Sequence, residues 1–412
     1  MTRLFSPKTN LIYDNRVGDA SDANLVCLPT PAEIGCNFPS PTGWCTGMED
    51  SVLNGGAFLL AAMRRHDATG DEESLKVARL LLDGLCRCAE NVKTPGFLAR
   101  SLSPDDGKSH YLNSSRDQYT LFAYALWRYH GWRRARAEEK SRIGRLLVGC
   151  ARYAERCMTP ESDFTLLRED GGPAKVSQMW TARPGVDLDP TDTIARYGGI
   201  SPHEALRLPQ LYAAAYAVSG DAHWRTKELE VTDAGIEMSF GRMPRVANGH
   251  ALLQMQLSVR QLWELEADGG RKDRYLKLMN RVADLSQGTF ERARATCEKI
   301  GFDFTASAID WRTCLMRYEG YARWEEGTPE PVGDFRYFVP VRPESFVAAH
   351  KALRETAESQ LVLQLCPGRA VPAERTEHFE KVFSGIDYTR LHVSVGPVHA
   401  VLVHWLARNP LT

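Results

Sequence analysis

The sequence has no long apolar run, no excess of charge of one sign and no Gly-, Ser- or Pro-rich linker. Its apolar stretches, such as Ala57 to Met63, are far shorter than the roughly 20 residues that cross a bilayer. The N-terminus lacks the apolar segment of a secretory signal. We therefore expect a soluble, cytoplasmic protein that does not contact a membrane, although a secreted chain already freed of its signal would look the same.

Several functional motifs are also missing. The 51 basic and 52 acidic residues nearly cancel, so the chain lacks the positive field that a nucleic-acid partner would need. It contains no GxxxxGK[ST] phosphate loop, no GxGxxG after a strand and no GxSxG elbow. The ten cysteines form no CxxC pair, and no second histidine stands at HxxxH spacing from His203. We expect reduced cysteines, no metal and no cofactor.

What is present is helical periodicity. Apolar residues recur at helical spacing through most of the chain, and strand-like alternation is rare. The fold class is therefore predicted to be all-α. The predicted helices are Glu49–Arg65, Glu72–Glu90, Ser115–Tyr129, Glu138–Cys157, Pro202–Val218, Ala222–Ser239, Gly249–Glu266, Lys272–Cys297, Pro343–Ser359, Ala373–Phe383 and Pro397–Ala407.

These helices are predicted to pair as antiparallel hairpins. Short breaks with a glycine to end one helix and an aspartate to cap the next join the members of three pairs, at residues 67–71, 219–221 and 268–273. Longer links, at 92–114, 158–201 and 301–342, separate the pairs. Paired helices can build an open solenoid or a closed ring, and this alternation of short and long links favours the ring.

The domain organisation follows from length and from the missing linker. At 412 residues the chain exceeds the usual size of one simple core, about 250–300 residues. We expect one (α/α)6 toroid of antiparallel helix pairs over residues 42–412, with residues 1–41 as an N-terminal extension packed on it.

One link is rich in side chains that suit a polyhydroxylated ligand. Between residues 95 and 119, cationic, aromatic and amide groups run directly into a predicted helix start. Aromatic rings stack on sugar faces, while Arg, Asn and Gln bind hydroxyls or a carboxylate. The candidate ligand-binding residues of this link are Arg100, Lys108, His110, Tyr111, Asn113, Arg116, Gln118 and Tyr119.

Acidic residues stand at three predicted helix starts. Glu49, Asp117 and Glu204 each follow a Ser or Thr by three residues, which is the spacing of a capping box. In a closed ring the same carboxylates would meet at one mouth. Glycoside hydrolysis requires two carboxyl groups there, and we draw them from these three residues and Asp50.

The roles can be divided in part. A helix N-terminus stabilises a carboxylate and lowers its pKa, which suits a base or nucleophile, so Asp117 beside Arg116 is the predicted one. The acid needs a more apolar setting, and either Glu49 or Glu204 would serve. The catalytic candidates are therefore Asp117, Glu49 and Glu204.

Several other charged and aromatic residues have both a ligand-binding and a purely structural interpretation. Arg100, Lys108, Arg116 and Arg207 would together bind a uronate carboxylate, or they are scattered surface charges. His203 and His250 lie near helix starts, where an ordinary hydrogen-bonded histidine is the alternative. Trp180 and Trp311 would be sugar platforms or would pack in the core.

The chain resembles the six-hairpin glycosidase superfamily, in particular uronic-acid-releasing enzymes such as β-glucuronidases and unsaturated glucuronyl hydrolases. The resemblance is carried by Gly47-Met-Glu49-Asp50, Gly96-Phe-Leu-Ala-Arg100-Ser, Asp106-Gly-Lys-Ser-His110-Tyr111 and Ser115-Arg116-Asp117-Gln118-Tyr119. It is strongest over about residues 44–130. It implies an (α/α)6 toroid with the substrate at the mouth of the inner helices, carboxylate catalysis and no cofactor.

Three functions remain open at this point. The first is a glycoside hydrolase acting on uronate-containing oligosaccharides, with an oligosaccharide or glycoside as its partner. The second is a polysaccharide lyase or sugar epimerase on the same fold, in which His110, Tyr111 and His250 would move the proton. The third is a non-catalytic sugar-binding toroid.

Overall fold

The computed structural model describes residues 6–14, 27–162, 164–172, 174, 177–181, 200–241, 248–305, 310–318, 338–388, 391 and 393–410. Parts of residues 1–41 and of the links at 158–201 and 301–342 lie outside them. Within the described residues the fold is all-α apart from one two-stranded hairpin, as predicted. The helices are α1 Pro31–Gly35, α2 Ser51–Thr69, α3 Glu72–Glu90, α4 Arg116–His130, α5 Ala137–Cys157, α6 Arg207–Ser219, α7 Ala222–Ser239, α8 Gly249–Leu265, α9 Gly269–Lys299, α10 Glu344–Gln364, α11 Ala373–Ser384 and α12 Val395–Arg408.

The hairpin pairs β1, Leu315–Tyr318, with β2, Phe338–Val341, in antiparallel register. Single turns of 3-10 helix occupy Pro160–Ser162, Pro202–Glu204 and Trp311–Thr313. All eleven predicted helices are present and α1 is additional. The sixth helix begins later than predicted, because the chain forms the 3-10 turn at Pro202 before α6 starts.

The predicted turn chemistry is confirmed at two of the three short breaks. Gly70 and Gly220 end α2 and α6 in the left-handed conformation, and Asp71 and Asp221 cap the helices that follow. At the third break Asp268 caps α9 as expected, but the two glycines begin α9 instead of ending α8.

The even- and odd-numbered helices are buried differently. Long stretches of α2, α6 and α8, namely 51–63, 207–215 and 252–262, are buried on every side. Helices α3 and α5 are amphipathic and bury one face. A helix without an exposed face lies in the interior of a fold, so the even-numbered helices are the inner ones.

The contacts among the inner helices return to their starting point. Helix α2 packs on α4, α4 on α6, α6 on α8, α8 on α10, α10 on α12, and α12 packs back on α2. Leucines of α2, α4, α8, α10 and α12 surround a cavity of only about 20 Å³ at their centre. The cavity is therefore almost closed and is lined mainly by apolar side chains, with Arg64, Tyr124 and His399 among them.

The N-terminal extension is firmly attached where it is described. Leu11, Ile12 and Tyr13 are fully buried, and the Tyr13 hydroxyl donates to the Leu102 carbonyl at 2.7 Å. The Ser394 amide donates to the carbonyl of Asp14 at 2.9 Å. This segment therefore joins the start of α12 to the link that precedes α4.

None of the described helices is long and apolar enough to span a bilayer.

The link that carries Arg100 is held against α5 at a glycine. Gly96 has φ +87°, and a Cβ at this position would overlap the carbonyl oxygen of Gly149. Gly70 has a similar φ, +69°, with open space around it. We expect Gly96→Ala to lower the unfolding free energy by about 3 kcal/mol, from backbone strain plus overpacking. Gly70→Ala should cost about 1 kcal/mol.

Urea denaturation of the two variants checks this difference. Equal losses would show that only the left-handed backbone matters at Gly96 and that the close approach to α5 does not.

Candidate active site

The acidic residues at the inner-helix starts do not cap their helices. Glu49 and Asp50 stand immediately before α2, Asp117 is the second residue of α4, and Glu204 ends the 3-10 turn before α6. No side-chain hydrogen bond caps α2, α4 or this turn. The interpretation as capping boxes is therefore wrong at all three places, and the carboxylates make other contacts.

Two ion pairs cross between α4 and α6 in opposite directions. Arg207 of α6 pairs with Asp117 of α4, and Arg116 of α4 pairs with Glu204. The Arg207 side chain is only 2% exposed, whereas that of Asp117 is 24% exposed. The cation is thus buried behind the carboxylate, and Asp117 faces the accessible side.

His250, in the first turn of α8, lies between two carboxylates. Its Nε2 is 3.1 Å from Asp117 Oδ2 and its Nδ1 is 3.6 Å from Glu358 Oε1. Glu358 of α10 also accepts a hydrogen bond of 2.7 Å from Arg354 Nε, and His399 Nδ1 of α12 lies 3.8 Å from it. A continuous polar chain therefore joins α4, α8, α10 and α12.

Asp14 of the N-terminal extension binds the start of α2. Its Oδ2 accepts from the amides of Glu49 at 3.0 Å and Asp50 at 3.1 Å, and its Oδ1 accepts from Asn54 at 2.9 Å. Burial, together with the charges of Asp50 and Glu49, raises the pKa of Asp14. The donors that a capping box would have satisfied are thus occupied by a residue distant in sequence.

Asp50 connects α2 to the predicted ligand-binding link. Its Oδ1 accepts from Gln118 Nε2 at 2.9 Å and from Arg100 Nη2 at 3.3 Å. Both side chains also donate to the carbonyl of Glu49, at 3.1 Å and 2.6 Å. Arg100 and Gln118 therefore fix the backbone that presents the Glu49 carboxyl group.

Glu49 and Asp117 differ in their electrostatic setting. Burial raises the pKa of Glu49, with Arg342 opposing and Asp50 adding to the rise. Burial also acts to raise the pKa of Asp117, but Arg207 and His250 outweigh it and hold that pKa well below its usual range. The pKa of Glu49 is thus shifted upwards and that of Asp117 downwards from the ordinary carboxyl values.

Glu204 resembles Asp117 rather than Glu49. Burial is outweighed by Arg116 and His203, and the pKa of Glu204 falls to about 2. Its carboxylate is also engaged by the Arg116 guanidinium. It is therefore unsuited to the role of an acid.

Many polar atoms of the charged residues at the starts of α2, α4, α6 and α8, and of their partners on α10 and α12, are buried without a hydrogen-bond partner. Such atoms are uncommon in native proteins and call for an explanation. Those in and beside the cluster are Asn54 Oδ1, Arg100 Nη1, Arg116 Nε, Gln118 Oε1, His203 Nδ1, Arg207 Nε, Arg342 Nε, Glu358 Oε2 and His399 Nδ1. Their concentration at one end of the inner helices identifies this end as the candidate site.

Several predicted ligand-binding residues lie elsewhere or point into the core. His110 Nε2 pairs with Glu169 at 3.1 Å, and Lys108 belongs to an exposed turn in which its amide donates to Asp106. Asn113 is 1% exposed. The expected ligand contacts of this part of the link are therefore not supported.

The aromatic candidates are structural. The Tyr111 hydroxyl donates to the Phe38 carbonyl at 2.7 Å, and the Tyr119 hydroxyl donates to that of Gly96 at 3.1 Å. Trp311 is 1% exposed with its indole N–H on the Cys27 carbonyl, and Trp180 packs half-buried against the core. Burial of Tyr111, Tyr119 and Trp311 leaves their rings no exposed face for a sugar, whereas the predicted role of Trp180 stays a prediction.

Helix α10 also contributes to the site, through residues that were not among the predicted candidates. Phe346, His350, Arg354 and Glu358 of α10 stand four residues apart, so each lies about one turn from the next along the helix, and Arg342 precedes α10 at the same spacing. This regular spacing of cationic, aromatic and acidic residues was visible in the sequence. His399 and Asp14 gave no comparable pattern.

The ionised carboxylate of Glu358 makes the free energy of unfolding depend on pH in the acidic range. Burial raises its pKa, but Arg354 and His250 outweigh this and bring the pKa to about 2 from 4.5. Its contribution is complete above pH 4.5 and is lost as the pH falls towards 2. We expect Glu358→Gln to flatten the acid decline of the unfolding free energy by on the order of 3 kcal/mol over this window.

Urea denaturation between these pH values measures that slope, with the exposed Glu72→Gln as the control. An unchanged slope in Glu358→Gln would contradict the expectation.

No group of three or more His, Cys, Asp or Glu side chains is arranged to hold a metal ion in the described part of the chain. No protein-family model and no curated protein matches the sequence significantly. Its function must therefore be inferred from its own residues.

Proposed function

We propose that the even-numbered helices are the inner ring of an (α/α)6 toroid and that the protein is a glycoside hydrolase acting on uronate-containing oligosaccharides. The closed series of helix contacts, from α2 round to α12 and back, supports the ring. The clustering of carboxylates and arginines at the inner-helix starts supports the site, and the resemblance to six-hairpin glycosidases points to the same chemistry.

The opposite pKa shifts of Glu49 and Asp117 carry this proposal. Two carboxyl groups whose environments push their pKa values apart are the usual sign of an acid paired with a base or nucleophile. Among the described residues Glu49 has no ion-pair partner, and its carboxylate accepts from the Cys45 amide. These features support Glu49, rather than Glu204, as the acid of the proposed reaction.

Asp117 is better suited to be a nucleophile than a base. Its positive neighbours, Arg207 and His250, keep it ionised but make it a weak proton acceptor. In the first step its carboxylate attacks the anomeric carbon while Glu49 protonates the departing oxygen. In the second step Glu49 takes a proton from water, whose oxygen attacks the same carbon and releases Asp117, with net retention of configuration.

The test is a hydrolysis screen of the full chain against nitrophenyl glycosides and unsaturated uronate disaccharides, with Asp117→Asn assayed beside it. Release of nitrophenol or of the uronate by the native protein, lost in the variant, is expected. Binding of these sugars without turnover would overturn the hydrolase proposal and support a sugar-binding role.

One observation favours a second candidate, a lyase or epimerase. His250 and His399 both face Glu358, but the environment of His250 raises its pKa, Asp117 and Glu358 outweighing burial, whereas burial lowers the pKa of His399 to about 4. A histidine with a raised pKa beside one with a lowered pKa suits the transfer of a proton next to a carbonyl. A new ultraviolet-absorbing double bond would identify the lyase, and solvent deuterium incorporated into uncleaved sugar would identify the epimerase.

A further inference from the structure

A surface groove lies far from the candidate site. It is lined by α5 and by the last residues of α4 and α6, and its volume is about 580 Å³, which is in the range of small-molecule sites. Asp117 and Arg207 of the candidate site stand at the starts of α4 and α6. His130 and Ser219, which line the groove, end the same two helices. Asp117 and His130 are therefore about 20 Å apart along α4, and the groove is a separate site.

Three cations of α5 line the groove, namely Lys140, Arg145 and Arg152. None of them forms an ion pair with a residue in the described part of the chain, and both arginines are exposed. Within the same residues their only side-chain hydrogen bond runs from Arg145 Nη1 to the Ser141 hydroxyl, at 3.1 Å. Their charges are therefore not neutralised by the described protein groups and are available to a ligand.

The acidic residues of this part of the chain bind other partners. Residues 128–156 contain nine Lys or Arg but only three acidic residues, in a chain whose net charge is −1. Those three are Glu138, Glu139 and Glu155. Their partners, in the same order, include Arg136, Arg79 and His223. The excess of positive charge is thus local, and these carboxylates do not neutralise it at the groove.

The electrostatic setting of His130 reflects the nearby charge. This residue is half-buried at the end of α4, and burial together with the charge of Lys140 lowers its pKa. An anion bound in the groove would offset the charge of Lys140 and favour the protonated imidazole. His130 can therefore serve as an internal probe of anion binding.

The spacing of the cations determines the kind of anion that fits. Lys140 and Arg152 are twelve residues apart, or about 18 Å along α5, so one anionic group cannot reach all three cations. A phosphoryl group carries close to two negative charges and three acceptor oxygens. Guanidinium and ammonium groups both bind it through charge-assisted hydrogen bonds. A ligand with several phosphoryl groups would therefore span the cations and compensate their charge.

The open space of the groove depends on Gly144. This residue of α5 lines the groove, and a Cβ added to it would meet only the Val218 carbonyl oxygen, at 3.8 Å, among its described neighbours outside α5. A methyl group fits there without a clash, whereas a longer side chain would extend into the groove. A large residue at this position would thus fill the groove without removing a charge.

We propose that the groove binds an elongated small molecule with two or more phosphoryl groups, which Lys140, Arg145 and Arg152 hold along α5. This site does not depend on the proposed hydrolase, because it lies at the other end of α4 and α6. Binding there can be measured with no glycoside present.

The first experiment titrates the full chain with tripolyphosphate by calorimetry, at about 0.15 M salt to screen nonspecific attraction. Inorganic phosphate is the matched anion with a single group. One tripolyphosphate per chain is expected, bound about 10-fold more tightly than phosphate or better, because only the longer anion reaches several cations. Equal affinities, or several tripolyphosphates per chain, would overturn the proposal.

A titration with an octaglutamate peptide distinguishes the class of ligand. Tripolyphosphate is expected to bind more tightly than the peptide, because its charge is concentrated in a shorter chain. Tighter binding of the peptide would overturn the proposal and would identify a docking site for an acidic protein segment.

The second experiment compares Arg145→Gln with Arg294→Gln. Arg294, on α9, is a matched control because it is also exposed and forms no ion pair with a described residue. Arg145→Gln should weaken tripolyphosphate binding on the order of 10-fold or more, and Arg294→Gln should leave it unchanged. Equal losses in the two variants would show only general attraction between opposite charges and would reject the site.

The third experiment fills the groove while keeping every charge. Gly144→Leu should abolish tripolyphosphate binding, and Gly144→Ala should retain it, with the fold of each variant checked by circular dichroism. In the native chain tripolyphosphate should raise the pKa of His130, followed by NMR with the signal assigned through His130→Gln. Unchanged binding in Gly144→Leu, or no response of His130, would place the anion elsewhere and reject the groove.

Discussion

Replacement of Asp117 by asparagine is expected to reduce kcat on the order of 10⁴-fold or more, since loss of a nucleophile removes the covalent route. Asparagine keeps the size and one acceptor oxygen of the side chain but cannot attack the anomeric carbon. The measurement is kcat on whichever glycoside the screen identifies, with the fold checked by circular dichroism.

The matched control is Asp233→Asn on the outer helix α7. Asp233 also pairs with an arginine, Arg274 at 2.8 Å, but it is 66% exposed and away from the site. The kcat of the Asp233→Asn variant should equal that of the native protein. In Asp117→Gly, added formate should restore part of the activity by supplying a carboxylate in the gap, and full activity of Asp117→Asn would reject the assigned role.

The largest effect on stability is expected at Arg207. This side chain is 2% exposed and pairs with Asp117, so Arg207→Met leaves a largely buried carboxylate without its main partner. Removing one member of a buried ion pair typically costs about 3–5 kcal/mol. Urea denaturation of Arg207→Met should show a loss in this range.

Two comparisons separate pairing from simple loss of an arginine. Arg274→Met on the surface should cost about 1 kcal/mol or less, because exposed pairs contribute little. The double variant Arg207→Met with Asp117→Asn should be more stable than the sum of the single effects predicts, because the unpaired charge is then gone. Strict additivity would show that the pair does not contribute as proposed.

Local chemistry was the reliable part of the sequence analysis. Gly70 with Asp71 and Gly220 with Asp221 end one helix and begin the next through contacts within a few residues. The same local rules failed at Glu49, Asp117 and Glu204, where the spacing of a capping box was present but no cap formed. At these helix starts, residues distant in sequence bind the groups that a capping box would use. Asp14 accepts hydrogen bonds from the Glu49 and Asp50 amides, and Arg207 pairs with the Asp117 carboxylate.

Only part of the candidate site could be predicted from the sequence. Asp50, Arg100, Arg116 and Gln118 were grouped because they are near one another in sequence or open a predicted helix. Glu358 was missed because it lies in the middle of a helix, where an acidic residue ordinarily faces solvent. The four-residue spacing from Phe346 through His350 and Arg354 is the signal in the sequence that leads to it, since neighbours in that row lie about one helical turn apart.

The sequence by itself determined that the chain is helical, approximately where eleven of its helices lie, and the turns at Gly70 and Gly220, because these features depend on neighbours a few residues apart. Only the tertiary structure decided which carboxyl groups have a raised pKa and which have a lowered one. Glu49 and Asp117 both stand at helix starts, yet Arg207 and His250 reach Asp117 from α6 and α8, while no described cation pairs with Glu49. A pKa depends on burial and on charges that folding brings close. Neither can be predicted from residues a few positions apart in the sequence.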